Sequence, residues 1–479
     1  MNVDEGRKQP VIRLRALLLR FSAHYDYGTA KPGNSGRNLT ISGGFYMNSN
    51  FWRNSVGLEP GDDWKREWAA GILSYFASVY IVMVNAAILH DAGMPLRAGM
   101  VATLLTAVTG CLLMAFGGKT PIIVVPGMGI NAFFTYTLVH SMKLDWREAL
   151  AVVVLTGVLF AVVAFTSLYR ILSEAIPHNL QHAITVGIGL FLTFIGLQKS
   201  GIVIAHRTTF VAIGHFSDPA VITSCVTLVL ALVLFIRGTR GGLLISMIAG
   251  TGLAYLLGAA HKPETAEAGH VFTGYGDVFA GMDWSGVISL VFWIAVFLLL
   301  LIVVFENIGL ISSQTLMAGR PERFKSSLRA LSLANIAAGL FGSSPVVAAA
   351  ESTAGIAAGG KSGLTSLVTG LLFGTTFLFI PLLAYVPDSA IAPILIVIGG
   401  LMVQSVREMD LSDMTELFPA FLIMVMIPFT YSIVDGMAFG FITYPIVKLA
   451  MGKGKEVPPA LYGIAGLFVA NFVLHALMG

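Results

Sequence analysis

The chain has 479 residues, of which 56% are hydrophobic and only 11% are charged, whereas soluble domains carry about 25% charged residues. With a mean hydropathy of +0.81, this composition excludes a soluble enzyme and indicates a polytopic membrane protein. The formal net charge of +3 gives no reason to expect a nucleic-acid partner. Cys111 and Cys225 match no disulfide or metal spacing, and we expect no metal and no cofactor.

Residues 1–64 differ from the rest of the chain. They are polar, rich in Gly, Asn and Arg, and carry no sustained apolar period, so we interpret them as a disordered cytoplasmic N-terminal tail. Within them, Val11–Phe21 mixes arginine with leucine and fits a membrane-surface segment and a solvated basic tail equally well. The first long apolar stretch starts only near residue 69, so we expect no cleavable signal peptide.

From residue 65 onward, apolar stretches follow one another at close intervals. A first series of seven occupies 65–258 and a second series of seven occupies 287–451, with a more polar loop at 259–286 between them. The C-terminal segment, 452–479, fits both a further span and an interfacial helix. The fourteen expected spans, numbered in chain order, lie near 69–90, 97–117, 121–139, 147–170, 180–198, 218–236, 241–258, 287–310, 327–342, 346–360, 364–384, 389–405, 416–431 and 433–451.

The basic loop residues predict an orientation. When successive loops alternate between the two sides of the membrane, most Arg and Lys residues fall on the same side as the N-terminus. The positive-inside rule assigns that side to the cytoplasm. We therefore expect a multi-pass protein of the inner or plasma membrane whose N-terminus is cytoplasmic.

Two similar motifs suggest that the two series are repeats. GKTPIIVVPG at Gly118–Gly127 and GSSPVVAAAE at Gly342–Glu351 share Gly-x-x-Pro followed by an apolar run. The glycines at 118 and 342 and the prolines at 121 and 345 are both 224 residues apart. Each motif opens the third segment of its series, and an odd number of segments per series predicts inverted orientation.

Segments 3 and 10 are predicted to be interrupted helices. Pro121 and Pro126 lie five residues apart, and Gly127 and Gly129 follow them, so a regular helix is disfavoured. We expect a short extended stretch that leads into a helix in each segment. Unwound backbone at membrane depth is tolerated only inside protein or beside a water-filled cavity, and paired interrupted segments indicate the binding site of a transporter.

Two carboxylates lie in apolar segments. Glu351 is expected at the N-terminal end of a helix that begins near Ser352, where backbone N–H donors accompany a carboxylate acceptor. Glu306 follows an uncharged run from Ile288 to Phe305. An ionisable residue so placed is functional by default, and the structural alternative is a pair with a helix-end base such as Lys361. Asn85 and Asn131 also lie in apolar segments, where asparagines commonly make hydrogen bonds between helices.

Four longer stretches resemble the AzgA-like purine permeases of the nucleobase–cation symporter type 2 (nucleobase/ascorbate transporter) family. They are VVPGMGINAFFTYTLV, ESTAGIAAGGKSGLTSLVTGLLF, IGLFLTFIGLQKSGIV and MIPFTYSIVDGMAFGFI, and the resemblance covers roughly residues 50–451. It implies an all-α fold of fourteen transmembrane segments in two inverted repeats of seven. Segments 1–4 and 8–11 would form a core domain that holds the substrate between segments 3 and 10, and segments 5–7 and 12–14 a gate domain.

The resemblance also implies the site residues. The acidic residues of segments 8 and 10 fall on Glu306 and Glu351, and the segment 3 motif falls on Gly127–Asn131. Departures from the family pattern near the expected pocket, such as Asn307 after Glu306 and Lys361 in GGKSG, leave the particular base open. Our substrate-binding candidates are Asn85, Gly129, Asn131, Glu306, Asn307, Glu351, Ser352 and Thr353.

Together these features predict a proton-coupled permease that imports guanine, hypoxanthine or adenine by alternating access, with Glu306 as the proton-coupling residue. Its expected partners are a purine base, protons and the bilayer, with a homodimer as a candidate assembly. The alternatives are a transporter of xanthine, uracil or an anion on the same fold, an intramembrane enzyme and a passive channel. Two buried acids disfavour an anion. The spans that carry the carboxylates contain no His or Cys, which disfavours an enzyme.

Overall fold

The structure is a computed structural model that describes residues 53–166, 168–169, 176–260 and 271–478. Most of these residues are helical, and four short strands form two small antiparallel sheets. The expectations for residues 1–52, including the stretch Val11–Phe21, lie outside the described residues.

The first series contains eight helices and three strands. Turns of π-helix extend α3 through Met114–Gly118 and α4 through Phe133–Ser141. In chain order, the elements are α1 (Trp64–Ser78), α2 (Ile81–Asp91), α3 (Leu96–Leu113), β1 (Val124–Pro126), α4 (Met128–Ala132), α5 (Trp146–Phe165), α6 (His178–Lys199), β2 (Val203–His206), β3 (Phe210–Ile213), α7 (Pro219–Ile236) and α8 (Gly242–Leu256).

The second series contains nine helices and one strand. Short 3-10 turns lie at Ser285–Ile288, Pro321–Arg323, Phe377–Phe379, Val403–Glu408 and Gly454–Glu456. The elements are α9 (Leu290–Met317), α10 (Phe324–Phe341), β4 (Val346–Ala348), α11 (Ser352–Ala357), α12 (Gly363–Thr376), α13 (Ile380–Leu383), α14 (Asp388–Met402), α15 (Met414–Thr430), α16 (Ile433–Ala450) and α17 (Pro459–Met478).

The helices are those of a polytopic membrane protein. Within the described ranges, nine helical stretches are long and apolar enough to cross a bilayer, and α8, α15 and part of α17 are shorter apolar helices. Side-chain oxygens cap the first backbone N–H groups of many spans, which would otherwise lack partners. The capping residues are Asp63, Asp145, Asp218, Ser289, Ser362, Asp413 and Ser432.

The two Gly-x-x-Pro motifs lead into β1 and β4, as the sequence predicts, and these strands pair with each other. The register joins Val124 to Ala348, Val125 to Val347 and Pro126 to Val346. Val124 and Ala348 are 224 residues apart, which is the offset of the repeated glycines and prolines. If a two-fold axis relates the two motifs, equivalent residues face each other in an antiparallel pair, as Val124 and Ala348 do.

Amide side chains hold the backbone of β4. The Val346 N–H donates to Asn335 Oδ1 at 3.0 Å, and Asn335 Nδ2 donates to the Val346 carbonyl at 3.0 Å. The Ala348 N–H donates to Asn307 Oδ1 at 3.1 Å. Because lipid offers no hydrogen-bond partner, unwound backbone at this depth needs such contacts.

Side chains likewise hold the backbone on either side of the strand pair. Gln314 Nε2 donates to the Ala349 carbonyl at 2.8 Å. The Ile123 N–H, just before β1, donates to Ser352 Oγ at 2.9 Å, and the hydroxyl of Ser366 donates to the Ile122 carbonyl at 2.8 Å. Both interrupted segments are therefore held inside protein, and these side chains pair with much of the strand backbone.

The helices pack in two groups. In the first helix group (α1–α5 and α9–α13), α10 packs against α3 and α5, α12 against α1 and α3, and α9 against α5. In the second helix group (α6–α8 and α14–α17), α6 packs against α14 and α15, α7 against α8 and α14, and α16 against α15 and α17. The strands β1 and β4 belong to the first group.

Three features were not expected from the sequence. The first span is divided between Ser78 and Ile81, and β2 and β3 form a hairpin in the loop after α6. The helix α9 continues to Met317, seven residues past the expected end at 310. Gln314 and Thr315, which lie in this extension, are 1% exposed and face protein.

Candidate functional site

A cavity of about 750 Å³ lies beside the paired strands, and its volume is typical of a small-molecule site. The first helix group contributes residues next to the strands, among them Gly129 of α4 and Phe305 of α9. The second helix group contributes the opposite wall, including Ile188 of α6 and Met402 of α14. Most of the lining is apolar, so its few polar groups stand out.

The first of these polar groups is the carboxylate of Glu351. This residue immediately precedes α11, which begins at Ser352 as predicted, but the carboxylate does not cap that helix. Its Oε1 atom instead accepts a hydrogen bond of 2.5 Å from the hydroxyl of Tyr80. Tyr80 lies between α1 and α2 and is only 1% exposed.

The second carboxylate, Glu306 on α9, lines the same cavity. Across the described ranges, its carboxylate makes no hydrogen bond and no ion pair. Within the described ranges no ion pair joins Glu306 to Lys361, the base considered as a structural partner, and Lys361 is exposed. The two acids therefore share a cavity but differ in their partners.

Four of the eight candidate residues line the cavity. Gly129 approaches the opposite wall closely, since a Cβ atom there would lie 3.0 Å from Ile188 Cγ2. The hydroxyl of Thr353 donates to the Ala350 carbonyl at 2.8 Å. The four lining candidates are Gly129, Glu306, Glu351 and Thr353.

The other four candidates are buried behind the wall. Asn307 and Ser352 bond to backbone groups in or beside the strands. Asn85 donates to Thr103 Oγ1 at 2.8 Å and accepts from the hydroxyl of Ser344 at 3.1 Å. Asn131 Nδ2 reaches the Asn85 carbonyl at 3.5 Å, and its Oδ1 lacks a partner among the described residues.

Sequence reasoning missed Tyr80, Gln314 and Asn335. A tyrosine in an apolar segment requires a partner for its hydroxyl, and this signal was available. The identity of that partner was not, because Glu351 follows Tyr80 by 271 residues. Gln314 lies beyond the expected end of segment 8, so its contact with β4 could not be predicted.

Comparison with known proteins establishes the class of this chain. A model of the permease family matches residues 65–439, which is more than half of the chain. The chain therefore belongs to this family, and it is a membrane permease and not an enzyme.

Individual relatives extend this finding. The nucleobase transporter PlAzg2 of Paenibacillus larvae is 48% identical over 385 residues, covering 80% of this chain and 77% of the relative. The guanine/hypoxanthine permease PbuO of Bacillus subtilis is 38% identical over 430 residues, covering 86% and 98%. The adenine permease AdeP of Escherichia coli is 33% identical over 423 residues, covering 87% and 94%. The resemblance found in the sequence is thus confirmed.

Solved structures share the fold at low identity. The transmembrane domain of the cyanobacterial bicarbonate transporter BicA matches with a TM-score of 0.57 at 14% identity, covering 81% of this chain and 96% of that one. SLC26A9 matches with a TM-score of 0.57 at 12% identity, covering 87% and 73%. The helical, polytopic transporter fold is therefore shown by structure as well as by sequence.

Proposed function

We propose that this permease imports a purine nucleobase, namely guanine, hypoxanthine or adenine, together with protons by alternating access. The observation that carries the proposal is the presence of Glu306 and Glu351 on one cavity beside the two paired breaks. Relatives whose names specify nucleobase, guanine/hypoxanthine or adenine transport support the substrate class.

The chemistry of the cavity suits a purine. Ring N–H groups of the base would donate to carboxylate oxygens, and its flat apolar faces would lie against Phe305, Ile188 and Met402. Gly129 would let the backbone approach the ligand. Of the eight proposed site residues, those behind the wall would act by holding the strands and helices in position.

Proton coupling is assigned to Glu306. A charged carboxylate without a partner is costly inside a membrane protein, and Glu306 has none in the described part of the chain. A proton or a ligand N–H group would relieve that cost. Glu351 already accepts a hydrogen bond from Tyr80, which stabilises its ionised form relative to that of Glu306.

The proposed architecture is fourteen segments in two inverted repeats. Segments 1–7 correspond to α1 through α8 and segments 8–14 to α9 through α16, with α17 outside both repeats. The two-fold relation of β1 and β4 supports inversion. The first helix group corresponds to the core domain and the second to the gate domain, apart from α17.

The cavity lining suggests which conformation the structure represents. The lining extends to the loop between α7 and α8, including Arg240, and to Gln181 near the start of α6. Basic loop residues concentrate on this side, which the positive-inside rule assigns to the cytoplasm. We infer an inward-facing permease of the inner or plasma membrane with a cytoplasmic N-terminus.

Uptake experiments test this function. Proteoliposomes containing the protein should accumulate a labelled purine base when an inward proton gradient is imposed, and empty liposomes should not. Competition with a panel of bases, in cells lacking their own nucleobase permeases, identifies the base and separates guanine, hypoxanthine and adenine from xanthine and uracil. Uptake of sulfate or nucleosides without any free base would contradict the proposal.

A further inference from the structure

Tyr80 occupies an unusual place in the first span. It stands between α1 and α2, beside the strand pair, and its ring belongs to the cavity wall. The side chain is 1% exposed, so its hydroxyl needs a protein partner. That partner is Glu351, which comes from the second series.

The hydrogen bond makes the two oxygens of Glu351 unequal. The phenol donates its single proton to Oε1 at 2.5 Å, within the short range of charge-assisted O–H···O bonds. The second oxygen, Oε2, has no side-chain partner among the described residues. Besides the hydroxyl of Tyr80, the backbone N–H of Glu351 itself contacts this carboxylate. No side chain of the described residues binds Oε2, so this oxygen keeps acceptor capacity for a ligand.

We propose that Tyr80 is a positioning residue that fixes the Glu351 carboxylate so that Oε2 receives an N–H group of the transported base. This role rests on the proposed function. A carboxylate held in one orientation pays less ordering entropy when the ligand binds than one that rotates between orientations. The gain in affinity therefore applies only to ligands that donate a hydrogen bond to Oε2.

Tyr80→Phe removes only the hydroxyl and tests the proposal. We expect the Kd for the purine base to rise about tenfold, as for the loss of a hydrogen bond to a charged group. The KM for uptake should rise with it, and the maximal rate should change little. The wild-type protein should prefer the base over analogues that are methylated at a single ring nitrogen. In Tyr80→Phe this preference should shrink for the analogue whose methyl group replaces the N–H facing Glu351.

Tyr75→Phe provides a matched control. Tyr75 lies on the same span, and its hydroxyl bonds to Thr376 Oγ1 at 2.9 Å away from the cavity. This variant should keep the wild-type Kd and the wild-type preference over the methylated analogues. An equal loss of affinity in both variants, or wild-type Kd and selectivity in Tyr80→Phe, would overturn the positioning role.

A measurement on the wild-type chain keeps the test decisive if Tyr80→Phe does not fold. Binding of the base should shift a tyrosine C–O band in infrared difference spectra, and the shift should persist in Tyr75→Phe, which is expected to bind the base normally. Absence of the shift in wild type that binds base would overturn the proposal for Tyr80 alone. Failure of the wild-type protein to bind any purine base would overturn the proposed function as well.

Discussion

At the scale of single residues, the two carboxylates of the cavity differ in their hydrogen bonding. Glu351 accepts from Tyr80 at 2.5 Å, whereas Glu306 has no partner in the described part of the chain. The hydrogen bond stabilises the charged form of Glu351 relative to that of Glu306, whose charge depends on what enters the cavity. This asymmetry favours a division between base binding at Glu351 and proton coupling at Glu306.

Glu351→Gln should abolish base binding at every pH. The substitution replaces an acceptor oxygen with an amide donor. The N–H group of the base would then meet another donor instead of an acceptor. Equilibrium binding of labelled base to the purified variant, measured across a range of pH, checks this. Glu322→Gln, which neutralises an exposed carboxylate on the loop after α9, should bind as the wild type does. Retained affinity in Glu351→Gln would remove Glu351 from the binding site.

Glu306→Gln should separate binding from coupling. Glutamine resembles the protonated, neutral carboxyl group, so the variant should keep part of its base binding and exchange. It should lose accumulation driven by a proton gradient, and its uptake should become nearly independent of pH. Exchange and gradient-driven uptake in proteoliposomes measure the two activities separately. Accumulation with the wild-type pH dependence would show that Glu306 does not carry the coupling proton.

At the scale of elements, the interrupted segments bring backbone to the cavity. The strand pair β1–β4 leads into α4 on one side and α11 on the other, and Gly129 lies in the first of these short helices. A Cβ atom at Gly129 would lie 3.0 Å from Ile188 Cγ2 and 3.2 Å from Met402 Cε. Both atoms belong to the second helix group, so this glycine sets how closely the two groups approach beside the cavity.

Gly129→Leu should abolish binding and transport and leave expression intact. The leucine side chain would project between the two helix groups into the space expected for the ligand. Binding and uptake, together with the yield of folded protein in the membrane, measure this outcome. Gly252→Leu is a suitable control, because no atom lies within 4 Å of a Cβ at that exposed position of α8. Normal transport by Gly129→Leu would show that segment 3 does not line the substrate path.

At the scale of the whole molecule, a polar cluster joins the two helix groups away from the cavity lining. Lys199, at the end of α6, contacts Asp91 at the end of α2 at 2.8 Å. The hydroxyl of Tyr136 also donates to Asp91 at 2.5 Å, and its ring meets that of Tyr431 edge-on at 5.6 Å. Lys199 follows the lining residue Ile188 by eleven residues, or roughly 16 Å along the helix.

The proposed alternating access would require this contact between the groups to open. Lys199→Gln should therefore favour conformations that are open on the side of the cluster, by a few-fold, since a partly exposed ion pair contributes about 1 kcal/mol or less. Labelling of a cysteine introduced at Thr185, with Cys111 and Cys225 replaced by serine, should become faster from that side of the membrane.

Lys453→Gln is the matched control for this cluster. The ion pair of Lys453 with Asp413, at 2.7 Å, joins the ends of α15 and α16 within the second helix group, so its loss should not change the labelling. The double variant Asp91→Lys/Lys199→Asp should restore the wild-type rate in part. Unchanged labelling in Lys199→Gln would show that the cluster does not hold the two groups together.

The sequence by itself determined the class of the protein, most of its spans and the position of its breaks. Long apolar runs form helices because a bilayer leaves backbone polar groups no other partners. Pro121, Pro126 and Gly127 interrupt one helix for local reasons that require no structure. The start of α11 at Ser352, which places Glu351 before a helix, was predicted in the same way.

The tertiary structure decided which polar side chains reach the cavity. Asn307 and Ser352 are adjacent in sequence to the two carboxylates, yet they bond to backbone in or beside the strands, whereas Tyr80, which was not among the eight candidates, holds Glu351. Adjacent residues of a helix point about 100° apart, so a neighbour of a site residue generally faces elsewhere. What a side chain meets in that direction depends on segments hundreds of residues away, whose packing the local sequence does not specify.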